Sequence, residues 1–99
     1  MSRYRAAMIT AIVFVNAYVA RIPEVAEAIA ALEGVSEVYS VTGQIDLIAL
    51  VRVRAHEDVA AVVADRLNKV DGVLETETHI AFRTYSRHDL ESAFSLGLD

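Results

Sequence analysis

The chain has no cysteine and no tryptophan, one proline and four glycines among its 99 residues. Without cysteine there is no disulfide framework, no thiolate metal site and no cysteine nucleophile, which is compatible with a cytoplasmic protein. Four glycines cannot build a Gly-rich phosphate cradle, and neither a P-loop nor G-x-G-x-x-G occurs. Ser, His and Asp are all present, but no nucleophile-elbow sequence arranges them. Nothing in the sequence calls for a cofactor.

Positive charge is also scarce. Nine Lys and Arg stand against fourteen Asp and Glu, a formal charge of −5, and the basic residues are scattered along the chain. Binding to a phosphate backbone draws on clustered Lys and Arg, so direct contact with nucleic acid is not expected. No apolar run is long enough to span a bilayer, so no membrane partner is expected either. Arg3 and Arg5, then apolar residues 6–15 and Ala17-Tyr18-Val19-Ala20, do follow the order of a secretory signal. The same residues read better as a first strand, because Ile9, Ile12, Val13 and Val15 are β-branched and Phe14 is aromatic. An internal symmetry described below also needs this segment.

What the chain has in excess is apolar surface. Hydrophobic residues make up 55% of it, whereas a monomer this small buries only about 60–70% of the surface its unfolded chain exposes. Association with another subunit is the simplest outlet.

The pattern predicts strands over 9–16, 35–42, 46–53 and 73–85, with helices between the first and second and between the third and fourth. The first helix is entered at Pro23, which a first turn tolerates. Ile22, Val25, Ala26, Ile29 and Leu32 form its apolar stripe, and Gly34 ends it. The second runs over 57–69 on the apolar positions Val59, Val62, Val63, Leu67 and Val70, and Asp71-Gly72 stops it. The order is β-α-β-β-α-β. Gly34-Val35-Ser36-Glu37 recurs as Gly72-Val73-Leu74-Glu75, 38 positions later. Such doubling is the signature of a ferredoxin-like α+β fold, a four-stranded antiparallel sheet with both helices on one face. The other face should then be polar in a monomer. Leu47, Ile48, Ala49, Leu50 and Val51 are apolar on both sides, so a sheet-on-sheet homodimer is predicted.

Chemistry concentrates at one turn. In Val41-Thr42-Gly43-Gln44-Ile45-Asp46 a glycine, an amide and a carboxylate interrupt an apolar stretch. One reading is a hairpin in which Gly43 supplies positive φ and Asp46 bonds turn amides. The other is a ligand site in which the opened backbone holds a carboxylate and Asp46 receives an ammonium, the charge pair of an α-amino acid. The two are compatible. On the last strand Thr76 and Thr78 share a face with Ile80 and Phe82, and their hydroxyls matter only if the turn approaches across a subunit boundary. Glu75, Glu77 and His79 share the opposite face, read as solvated charge; no metal site is predicted there or at His56 and His88. Ser86-Arg87-His88-Asp89 has the form of a helix start, with Leu90 and Phe94 on one face beyond it.

The strand order, the exits Leu32-Glu33-Gly34-Val35 and Val70-Asp71-Gly72-Val73, the turn Thr42-Gly43-Gln44-Ile45-Asp46-Leu47, and Glu75-Thr76-Glu77-Thr78 before Ile80-Ala81-Phe82 together resemble a known family. It is the RAM domain, the effector-binding domain of the Lrp/AsnC transcriptional regulators, and the resemblance covers about residues 8–86. It implies dimers through sheet packing, often built into tetramers of dimers, and amino-acid effectors held between dimers near the second-to-third-strand loop. Carried onto this chain, that places Thr42, Gly43, Gln44 and Asp46 at the ligand, with Tyr39, Thr76 and Thr78 beside it. Full-length members carry an N-terminal helix-turn-helix; with only about eight residues before the first strand, the sequence is expected to be a stand-alone RAM-type protein. The expected organisation is an extension over 1–8, the RAM-type domain over 9–86 and a tail over 87–99. The expected role is that of a cytoplasmic regulator without catalytic residues, binding an amino acid or related metabolite and pairing with itself or with full-length regulators. The rival readings are a dimeric α/β-barrel enzyme, such as a monooxygenase or isomerase, and a purely structural oligomerisation module.

Overall fold

A computed structural model describes residues 8–87. Its elements are β1 (Ile9–Ala17), α1 (Ile22–Ala30), β2 (Val35–Ser40), β3 (Leu47–Val53), α2 (His56–Asp65) and β4 (Val73–Ala81), with 3₁₀ turns at Val19–Arg21 and Leu67–Lys69. The sheet order is β2-β3-β1-β4 and every pairing is antiparallel. This is the ferredoxin-like α+β architecture that the pattern predicts.

Period-two alternation decides which side chains go inside. Ala11, Val13 and Val15 of β1 and Leu47, Ala49 and Val51 of β3 are fully buried. They meet Val25 and Ile29 of α1 and Val59, Val62 and Val63 of α2 in one core. Their register neighbours Ile12, Phe14, Ile48 and Leu50 point to the face without helices and are only half-buried.

The two halves interlock through their helix exits. A methyl group on Gly34, after α1, would stand 2.6 Å from Val62 of α2; one on Gly72, after α2, would stand 2.6 Å from Val25 of α1. The doubled glycine thus lets each exit pack against the helix of the other half.

Three boundaries differ from the sequence reading. The second helix leaves α geometry at Arg66, and Leu67 is buried from a 3₁₀ turn instead. Its burial produced the apolar period that extended the helix to 69. The second strand ends at Ser40, because Val41 N already donates to Asp46 O across the loop. The last strand ends at Ala81, opposite Thr10, where β1 has nearly run out of residues to pair with. The helix start at Ser86–Asp89 and the docking of Leu90 and Phe94 lie largely outside the described residues.

Candidate functional site

The β2–β3 loop, residues 41–46, is closed by Val41 N donating to Asp46 O at 3.1 Å and is tied to β1 by Asp46 N donating to Val15 O at 3.1 Å. Asp46 Oδ2 accepts from Ala17 N at 2.9 Å. The expectation that Asp46 serves its own turn is thereby corrected. Its carboxylate satisfies an amide on a neighbouring strand, where the bulge after Asn16 frees the Ala17 N–H from the ladder to β4. The other carboxylate oxygen takes no hydrogen bond from the described residues.

Between these anchors Thr42, Gly43 and Gln44 are exposed. Gly43 has φ +104°, and nothing lies within 4 Å of the place a Cβ would occupy. It is therefore glycine because of its backbone conformation, not for lack of space. The loop presents an open stretch of main chain held rigidly at both ends.

The other three predicted residues do not all join it. Thr76 pairs with Val15, one strand beyond the Asp46 anchor, and Thr78 pairs with Val13. Both stand on the helix side of β4, and the Thr76 hydroxyl donates to Asn68 Oδ1 at 2.7 Å. Tyr39 lies on the opposite face of the sheet, on the far edge strand β2, opposite Ile48. Its phenol lies beside Glu37, and that polar interaction, with partial desolvation and the carboxylate charge, raises its pKa above the usual tyrosine value, against a lowering by Arg52. One subunit thus brings Thr42, Gly43, Gln44 and Asp46 together and leaves Tyr39 apart from Thr76 and Thr78.

The face without helices has its own chemistry. Ile12, Phe14, Ile48 and Leu50 form its apolar centre, with Glu37 and Tyr39 on the β2 side and Glu75, Glu77 and His79 on the β4 side. His79 Nε2 lies 3.0 Å from Glu77 Oε2, and its ring is 5.1 Å from that of Phe14. A cavity of about 110 Å³ opens at the loop end of this face, lined by Phe14, Asn16, Ile45, Glu75, Thr76 and Glu77. Among the described residues Asn16 Oδ1 is buried with no hydrogen-bond partner. Sequence reasoning passed over Asn16. Its signal was an amide closing the apolar run of β1.

A larger cleft, about 360 Å³, lies by Gly34 and α2, lined among others by Glu33, Asp58, Arg54 and Arg66. Its two acids face three arginines, Arg52, Arg54 and Arg66, and Arg66 Nη1 is already committed to the Glu33 carbonyl at 3.0 Å. We therefore keep the candidate site at the loop. Among the described residues no group of acidic and histidine side chains is arranged to hold a metal ion, and no helix is long and apolar enough to cross a membrane.

Residues 10–90 match the family model of the Lrp/AsnC ligand binding domain. The HTH-type transcriptional regulator PH1916 of Pyrococcus horikoshii is 43% identical over 61 residues, 62% of this chain and 41% of its own. The chain thus spans less than half the length of that relative. The crystal structure of TTHA0845 from Thermus thermophilus superposes with a TM-score of 0.75 at 47% identity, covering 80% of this chain and 99% of that one. The feast or famine regulatory protein Rv3291c of M. tuberculosis, complexed with L-methionine, shares the fold with a TM-score of 0.70 at 20% identity, covering 88% of this chain and 59% of that one.

Proposed function

The chain belongs to the Lrp/AsnC ligand binding domain family, and from that premise we propose that it is a cytoplasmic regulatory protein that binds an amino acid at a subunit interface. The observation that carries this reading is the loop itself. Exposed main chain opened by Gly43 lies beside a carboxylate with one oxygen still unbonded. Backbone N–H groups suit the ligand's carboxylate, and the second oxygen of Asp46 suits its ammonium. Thr42 and Gln44 supply further polar contacts. Tyr39, Thr76 and Thr78, which one subunit keeps apart, reach such a ligand only from neighbouring copies. The methionine held by a protein of the same fold supports the class of ligand, not its identity.

The unit of assembly is a homodimer through the helix-free face. Ile12, Phe14, Ile48 and Leu50 are already half-buried in the subunit, so each gains only part of the roughly 1.5–3 kcal/mol that full burial contributes, a driving force the isolated subunit leaves unused. Nucleic acid is not a direct partner of this domain, and the role is regulatory rather than enzymatic. Equilibrium binding of a panel of amino acids to the wild type and to Thr42→Ala/Gln44→Ala tests the effector reading. Saturable binding of at least one amino acid, weakened in the double variant, is the expected result. Absence of binding by every member at millimolar concentration would refute it.

A further inference from the structure

The helix-free face carries an acidic pocket at one end and, at the other, an arginine with no ion pair among the described residues. At the loop end, Glu75 stands opposite Asn16, whose buried Oδ1 has no partner, beside the cavity of about 110 Å³ floored by Phe14 and Ile45. At the far end, Arg52 stands opposite Thr10 on the same face. Its charge is felt at Tyr39, but among the described residues no carboxylate lies within ion-pair distance of it. Glu77, the other acid of the pocket, is already engaged by His79.

We propose that Arg52 of a second copy occupies the pocket of Asn16 and Glu75, and that this reciprocal pair sets the register of the sheet-on-sheet dimer. The inference rests on the dimer reading above. It follows from the register and from the requirement that two identical faces meet about a two-fold axis. The apolar centre has two rows, Ile12 with Leu50 and Phe14 with Ile48. An axis crossing the strands between those rows lays Ile12 on Phe14 and Leu50 on Ile48 of the other copy. Arg52 lies one residue pair beyond the first row and Asn16 one beyond the second, so the same axis carries each arginine into the row of the opposite Asn16 and Glu75, over the Asp46 end of β3. The lateral offset is one strand spacing, about 4.8 Å, to Asn16 and two, about 9.6 Å, to Glu75, so the arginine reaches the Asn16 oxygen and the extended Glu75 side chain has to meet it.

The alternative in-plane axis, along the strands, sets Arg52 over Thr10 of the other copy and leaves both the arginine and Asn16 Oδ1 without partners. Of these two axes only the first brings them together. The guanidinium has five donors in a planar fork, enough for the Asn16 oxygen and the Glu75 carboxylate together. Across one interface the pair forms twice, once at each end.

A charge-swap mixing experiment tests this. Arg52→Glu and Glu75→Arg are prepared separately; both positions are exposed, and circular dichroism verifies that each variant folds. Mass in solution is then measured for the wild type, for each variant alone, and for the two variants mixed. Each variant alone should dimerise more weakly than the wild type by about tenfold or more. Mixing should restore a dimer, made of one chain of each kind, since that combination alone pairs opposite charges at both ends. If the wild type is a dimer and either variant dimerises as tightly, or the mixture recovers nothing, the pairing is wrong while the dimer reading stands. A wild type that stays monomeric at every concentration overturns both.

Discussion

Asp46 reaches out of its own loop to accept the amide of Ala17 at 2.9 Å, joining the start of β3 to the end of β1. The contact bridges 29 positions of sequence and fixes the loop on which the candidate site is built. Asp46→Ala leaves the part-buried Ala17 N–H without a protein acceptor, so it should cost about 1–3 kcal/mol in urea unfolding. Asp46→Asn retains an oxygen acceptor and should lose less. Because Asp46 also faces the proposed ligand, a variant that keeps its stability and loses binding separates the two roles, and Asp46→Asn is the one to measure.

The glycines give a graded prediction. At Gly43 a side chain meets open space but a backbone at φ +104°. Gly43→Ala should cost about 1–2 kcal/mol, the ordinary penalty for a left-handed L-residue. At Gly34 the added methyl also stands 2.6 Å from Val62, so Gly34→Ala should cost about 2–4 kcal/mol, strain and overpacking together. Thermal unfolding of the two variants should rank them in that order. Equal losses would mean that the Gly34 exit relaxes freely.

Much of the architecture was legible in the sequence, for local reasons. Helical stripes such as Val25 with Ile29, and strand alternation such as Val13 against Phe14, are periodicities that a chain displays before it folds. The sheet's apolar excess was legible too, since Ile48 and Leu50 are apolar where a solvated face would be polar. The partner of Asp46 was not legible, because it depends on a bulge after Asn16 that no short window reveals. The same limit applies to Tyr39 and Thr76. Their placement on opposite faces follows from register across four strands, and the Val35/Glu37 irregularity shifts the β2 side of it. Helix and strand ends slipped where tertiary burial, as at Leu67, imitated a longer period.

Adjacent residues on β3 should separate folding from assembly. Leu47 is fully buried under the helices, whereas Ile48 belongs to the helix-free face. Leu47→Ala should destabilise the subunit by about 2–5 kcal/mol. Ile48→Lys should leave a folded chain with native circular dichroism while shifting sedimentation from dimer to monomer. If Ile48→Lys remains a dimer at low micromolar concentration, the helix-free face is not the interface.

Tyr39 gives a titration that reads the edge of that face directly. Glu37 interacts with the phenol proton and places negative charge beside it, and these, with partial desolvation, favour the protonated phenol; its pKa therefore lies above the usual value, with Arg52 pulling the other way. The native state holds this proton more tightly than the unfolded chain does. Any stability gained from it is present in full below the unfolded tyrosine pKa and is lost as pH rises through the folded one. Subtracting the tyrosinate absorbance of Tyr39→Phe from that of the wild type isolates this phenol from Tyr4, Tyr18 and Tyr85. Its midpoint should lie above the ordinary phenol value of about 10. Glu37→Gln removes the charge and should move the midpoint down, whereas Arg52→Gln should move it slightly up. A midpoint indifferent to Glu37→Gln would mean that the Tyr39–Glu37 interaction does not persist in solution.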